Sequence, residues 1–119
     1  MPTPSVRDLT PADVRAMLER DEIVLIDVRE PGEFAAERIH GALNFPLSTF
    51  DPKALPTGGG EAVVLQCGSG KRSAMAIERC RAAGLPVDSH LGGGIQAWVA
   101  AGLPTVRYDA ATGAVVDRS

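Results

Sequence analysis

The stretch of this chain best suited to chemistry is Cys67-Gly68-Ser69-Gly70-Lys71-Arg72-Ser73. The apolar run Ala62-Val63-Val64-Leu65 precedes it and reads as a buried strand. Ala74 to Ala83 follows it and reads as a helix that ends at Gly84. Cys67 then lies at the carboxyl end of a strand, on a loop of small residues that feeds a helix N-terminus. In an open parallel sheet this is where ligands bind. Backbone N–H groups there, with the positive end of the helix behind them, favour an anion. A cysteine so placed is held as a thiolate, and the thiolate is the nucleophile. Gly68 and Gly70 let the loop curl around the sulfur through dihedrals that other residues avoid. The plain alternative is an inert cysteine buried in a tight turn, since free cysteines are commonly buried.

The neighbours divide by position. Arg72 is expected to turn inward onto loop carbonyls or a carboxylate, and Lys71 to face solvent, where it attracts an anionic reactant. Cations at a helix start oppose the dipole, which favours a functional reason for Lys71. Ser73 is assigned to capping the helix through its hydroxyl. Asp27 and Arg29 flank Val28 at the end of a second apolar run. Alternation puts them on one face, and they read as a structural ion pair supporting the site. Glu30 and Glu33 suit a helix start. His40 and His90 have no metal-ligand spacing with Cys67 or Cys80, so no metal or cofactor is expected and both are assigned surface or packing roles. Cys80 shares a helical face with Ile77 and reads as a packing residue rather than a resolving thiol. Trp98, near Ile95, reads as core.

These residues need a scaffold, and the chain alternates. Thr10-Pro11 opens a helix over Ala12 to Arg20, and Ile23 to Ile26 is a strand buried on both faces. Pro31-Gly32-Glu33-Phe34 starts a short helix. Ala42 to Phe45 is a strand stopped by Pro46, and Ser48 to Lys53 holds a helical turn. Pro56 to Gly60 is a mobile surface loop. Val87 to Leu91 is a strand, and Gly92-Gly93-Gly94 turns into a helix through Trp98. This order implies an α/β domain with a largely parallel sheet. Residues 105–119 are either an edge strand at Thr105 to Tyr108 or a tail. At 119 residues and 45% hydrophobic content the chain makes a single domain. A net charge of -3 leaves no basic footprint for nucleic acid. No apolar stretch approaches the roughly 20 residues of a membrane span. Met1 to Thr10 does not read as a signal peptide, and two cysteines without export suit a reducing, cytoplasmic compartment. An exposed cysteine there is reactive rather than part of a disulfide.

Taken together, several motifs carry a resemblance. Leu25-Ile26-Asp27-Val28-Arg29-Glu30, Glu33-Phe34 and Ile39 to Pro46 look like the first half of a rhodanese domain. Cys67 to Ser73 resembles that family's active-site loop, and Leu91 to Trp98 is similar to its closing Gly-Gly-x-x-x-Trp segment. The matches run in order from about Asp8 to Pro104. The resemblance implies a rhodanese-like α/β fold with a five-stranded, mostly parallel sheet and helices on both faces. It also implies sulfur transfer through a Cys67 persulfide, held by Gly68, Ser69, Gly70, Lys71, Arg72 and Ser73. The implied donor is thiosulfate or a thiol persulfide, and the acceptor a thiol, cyanide or a protein. Two positions depart from the family pattern. Glu37-Arg38 stand where Gly-His is common, a change assigned to packing. Gly68 stands where thiosulfate users carry a basic residue, which weakens the case for thiosulfate. An arsenate reductase or phosphatase is the enzymatic alternative. Against it, four residues separate Cys67 from Arg72, one fewer than in a phosphatase loop, and Gln66 replaces the usual histidine. A non-catalytic binding or sulfur-carrier module is the third reading. It predicts loss of the cysteine or of the loop glycines, and neither is lost.

Overall fold

The computed structural model describes residues 6–109 and 111–118. In chain order the elements are β1 (Arg7–Leu9), α1 (Pro11–Glu19), β2 (Ile23–Asp27), α2 (Pro31–Ala36), β3 (Glu37–Arg38) and β4 (Leu43–Asn44). They continue with β5 (Ala62–Gln66), α3 (Lys71–Ala82), β6 (Ser89–Leu91), α4 (Gly94–Ala100), β7 (Thr105–Asp109) and β8 (Ala114–Arg118). Five strands form one sheet in the order β1-β6-β5-β2-β4, and every pairing in it is parallel.

The apolar runs behave as a sheet covered on both faces requires. Leu25 and Val64 point to one face, with Val14 of α1 and Ile95 and Trp98 of α4. Ile26, Val63 and Leu65 point to the other, with Ala76, Ile77 and Cys80 of α3. The strand period of two thus sorts neighbouring residues into two cores. Helix α1 starts where Thr10-Pro11 directs it. The Thr10 hydroxyl accepts the Asp13 N–H at 3.1 Å, and the Asp13 carboxylate accepts the Thr10 N–H at 3.2 Å. Trp98 is core as expected, and its indole N–H donates to the Pro104 carbonyl at 2.8 Å.

Four expectations need correction. The fifth parallel strand is β1, whose only buried residue is Leu9. Three residues with one apolar side chain carry no strand signal of their own. Thr105 to Tyr108 does not edge this sheet. It belongs to β7, which pairs antiparallel with β3 and β8 in a separate three-stranded sheet. Glu37-Arg38 accordingly does more than pack: it is β3, and the Thr105 hydroxyl donates to the Glu37 carboxylate at 2.5 Å. The turn at Ser48 to Lys53 is two 3-10 turns, Leu47–Thr49 and Pro52–Ala54. The expectation that Met1 to Thr10 is not a signal peptide rests partly on residues 1–5, which lie outside the described residues. No helix among the described residues is long and apolar enough to cross a membrane.

Candidate active site

Strand β5 is the middle strand of the five, and Cys67 follows its last residue. The chain then reverses at Gly70, whose φ of +107° is the left-handed conformation that glycine tolerates best. This turn aims the Gly70 N–H at the Cys67 sulfur, 3.0 Å away. Gly70 is also the N-cap of α3. Ser73 therefore does not cap the helix, contrary to expectation. Its hydroxyl lies buried beside the thiol, 3.5 Å from Sγ, 3.2 Å from the Gly70 carbonyl oxygen and 2.7 Å from Nδ1 of His90. Gly68 has no positive φ. What it supplies is clearance, since a Cβ there would lie 3.1 Å from Nη2 of Arg72.

Cys67 is not exposed, as the sequence suggested, but wholly covered, with 0% of its surface accessible. Burial alone would push the thiol up. The Ser73 hydroxyl and the N–H groups of Ser73, Gly70 and Ser69 outweigh it and hold the pKa below the ordinary value. Cys80 is equally covered and has no such donors, so burial pushes its thiol up. Two buried cysteines thus titrate in opposite directions, and Cys80 fits its packing role.

The loop is held from two sides. From α4, the N–H groups of Ile95 and Gln96 donate to the carbonyls of Cys67 and Gly68 at 2.9 and 3.1 Å. The Gln66 side-chain amide adds a third bond, to the Cys67 carbonyl at 3.0 Å. This approach is close enough that a Cβ on Gly94 would fall 2.2 Å from the Cys67 oxygen. The glycine run is thus a docking surface for the loop as well as a turn. From α2, Glu33 takes a two-pronged bond from Arg72, at 2.6 and 3.0 Å. Arg72 has turned onto a carboxylate, as expected, but on the surface rather than inward. The Arg72 guanidinium is the main reason the Glu33 carboxyl is lowered to about 2, with burial opposing and the hydrogen bond to the Glu30 N–H assisting. Glu33 also serves its helix start, accepting that N–H at 3.1 Å.

Lys71 is exposed. Asp27 and Arg29 form a buried pair at 2.8 Å, and Arg29 also donates to the Glu37 carbonyl at 2.6 Å. Asn44 donates to the carbonyls of both. They brace the end of β2, and none of these bonds reaches residues 67–73. His40 is exposed, but the packing role given to His90 is incomplete. Its ring bridges Ser73 and Asp8, with Nε2 2.5 Å from the Asp8 carboxylate. The signal for this lay in no motif, because Asp8, Ser73 and His90 meet only once β6 is laid beside β1. Among the described residues, no group of three or more His, Cys, Asp or Glu is arranged to hold a metal ion.

Known proteins resemble this chain in sequence and in fold. The model of the rhodanese-like domain family matches residues 10–101. The uncharacterised protein slr1261 of Synechocystis is 42% identical over 99 residues, which are 83% of this chain and 55% of that protein. The chain therefore spans about half of that relative's length. A sulfurtransferase of Allochromatium vinosum is 32% identical over 90 residues, 76% of this chain and 84% of the relative. The solved structure of a rhodanese-related protein from Thermoplasma volcanium superposes with a TM-score of 0.72 at 31% identity, covering 84% of this chain and 97% of the other. The family match takes in β2, the Cys67 loop and the glycine run that docks on it, and the chain belongs to the rhodanese-like domain family.

Proposed function

We propose that the protein is a sulfurtransferase that carries sulfur on Cys67. The observation that carries this reading is the thiol itself, covered by the loop yet held toward its anionic form by hydrogen bonds from Gly70 and Ser73. The same donors suit a persulfide, which is also an anion. With thiosulfate as donor, the Cys67 thiolate attacks the outer sulfur and the S–S bond of thiosulfate breaks. Sulfite leaves with the bonding pair, and Cys67–S–S⁻ remains. A thiolate or cyanide then attacks the terminal sulfur, and Cys67 recovers its electron pair as the product departs. The enzyme alternates between two covalent forms, which is ping-pong behaviour. Gly68 to Gly70 shape the cradle, Ser73 bonds the sulfur, Arg72 ties the loop to α2, and exposed Lys71 attracts the anionic donor. Asp27 and Arg29 support the site at one remove. Both cysteines are free, which suits the reducing, cytoplasmic setting the sequence suggests.

Intact mass after incubation with thiosulfate or with a thiol persulfide tests this directly. One donor should add about 32 Da, removable by a reductant. Cys67→Ser should neither gain the mass nor transfer sulfur. No gain from either donor in folded protein, or a gain retained in Cys67→Ser, would refute the assignment.

A further inference from the structure

The reaction above needs a thiolate but does not say where the proton goes, and Cys67 has no solvent contact through which to lose it. The hydrogen bonds around Ser73 supply a route. The Ser73 hydroxyl has one hydrogen and three neighbours. The nearest is His90 Nδ1 at 2.7 Å; the Gly70 carbonyl lies at 3.2 Å and Cys67 Sγ at 3.5 Å. The Gly70 carbonyl already takes the Ala74 N–H at 3.2 Å, so it does not depend on Ser73. The other ring nitrogen of His90 lies 2.5 Å from Oδ1 of Asp8. A carboxylate can only accept, which puts the ring hydrogen on Nε2 and leaves Nδ1 free to accept from Ser73. His90 is 5% exposed, whereas the Asp8 side chain is 74% exposed. The chain of bonds therefore runs from a sealed thiol to the surface.

Resting on the reading of Cys67 as nucleophile, we propose that Ser73, His90 and Asp8 form a proton path that ionises Cys67 inside the closed loop, with His90 as the proton-accepting positioning residue. Cys67 S–H gives its proton to Ser73 Oγ as Ser73 gives its own to His90 Nδ1. One S–H bond breaks and one N–H bond forms, and Ser73 ends with a hydroxyl that now donates to the thiolate. A neutral thiol and a neutral imidazole become a thiolate and an imidazolium, so net charge is unchanged. The imidazolium stays bonded to Asp8 through Nε2–H. Strand pairing holds the geometry, because His90 lies between Asp8 on β1 and Leu65 on β5. From β1 the ionisable group facing the ring is Asp8. From the β5 side it is Cys67, through Ser73 of α3. Among the described residues His90 is hydrogen-bonded to no other ionisable side chain.

The path is tested without any sulfur transfer. The pH at which alkylation of Cys67 reaches half its maximum should rise by about one unit in His90→Gln, about tenfold slower labelling at neutral pH. Glutamine keeps a hydrogen-bonding amide but takes no proton. Asp8→Asn, at an exposed side chain, should move the profile the same way, with labelling about threefold slower. The readout needing no substitution is nitrogen NMR of the ring in the native protein, with exposed His40 as the internal comparison. His90 should carry its hydrogen on Nε2 while Cys67 is a thiol. A profile of folded His90→Gln that overlays the native one overturns the path. So does a neutral ring with its hydrogen on Nδ1, and this measurement decides the matter together with Asp8→Asn if His90→Gln fails to fold. An overturned path with the 32-Da gain intact leaves Cys67 as the sulfur carrier. An intact path without the gain refutes the sulfurtransferase reading alone.

Discussion

At the residue scale, Gly68 and its neighbours are where the proposed donor preference can be tested. The backbone of Gly68 is not left-handed, so a basic side chain there meets no dihedral penalty. What it meets is Arg72, whose Nη2 would be 3.1 Å from the new Cβ and is already committed to Glu33. With Arg72 so committed, Lys71 is the exposed cation of the loop. A charge pair near a surface is worth on the order of 1 kcal/mol and is weakened by salt. Lys71→Ala should therefore raise the thiosulfate KM about fivefold at low ionic strength, with little change in kcat. The difference should shrink as salt is added. Steady-state kinetics at two salt concentrations checks this, and an unchanged KM at low salt would assign donor choice to pocket shape. Single residues were legible in their placement, as with Cys67 just after its strand and Arg72 bound to a carboxylate. Ser73 and His90 were not, because a serine in a first turn and a histidine in a short strand mean nothing until three elements converge on them.

At the scale of elements, the loop is a place where β5, α2, α3 and α4 are joined. Its join to α4 is backbone to backbone, where the glycine run lets two N–H groups reach the Cys67 and Gly68 carbonyls. Gly94 has a φ of +61°, and its missing Cβ is occupied by the Cys67 oxygen. Gly94→Ala must push α4 and the loop apart. It should cost well over the ~1 kcal/mol of a left-handed alanine alone and cut sulfur transfer sharply. Gly102, also left-handed but with open space around it, is the control. Gly102→Ala should cost only the dihedral term and leave transfer near native rates. Thermal unfolding and transfer assays on the two variants give the comparison, and equal losses in both would remove the docking account. The sequence identified the glycine run as a turn. It could not show the carbonyls on the far side, which lie on a segment more than twenty residues earlier in the chain.

For the molecule as a whole, the strong signals were the long ones. β2 and β5 open with continuous apolar runs, Ile23 to Ile26 and Ala62 to Leu65, and their position inside a covered parallel sheet follows from that pattern. β1 and β3, short and nearly devoid of apolar residues, exist because neighbours already in place pair with them. The two faces of the main sheet hold separate clusters, one containing Val14 and the other Ile77, both fully buried. Val14→Ala and Ile77→Ala should each lower stability by about 2 kcal/mol or more. Their effects should add to within roughly 0.5 kcal/mol in denaturant titration, because the two residues belong to separate clusters on opposite faces of the sheet. A coupling well above that would mean the faces respond as one. The complete cover over Cys67 has a further consequence on this largest scale. On the proposed function, one more sulfur atom is added to a thiol that the loop leaves with no accessible surface, so loading is expected to move the residues that cover it. Empty and charged forms would then present different surfaces, by which an acceptor would tell the two apart before any bond is exchanged.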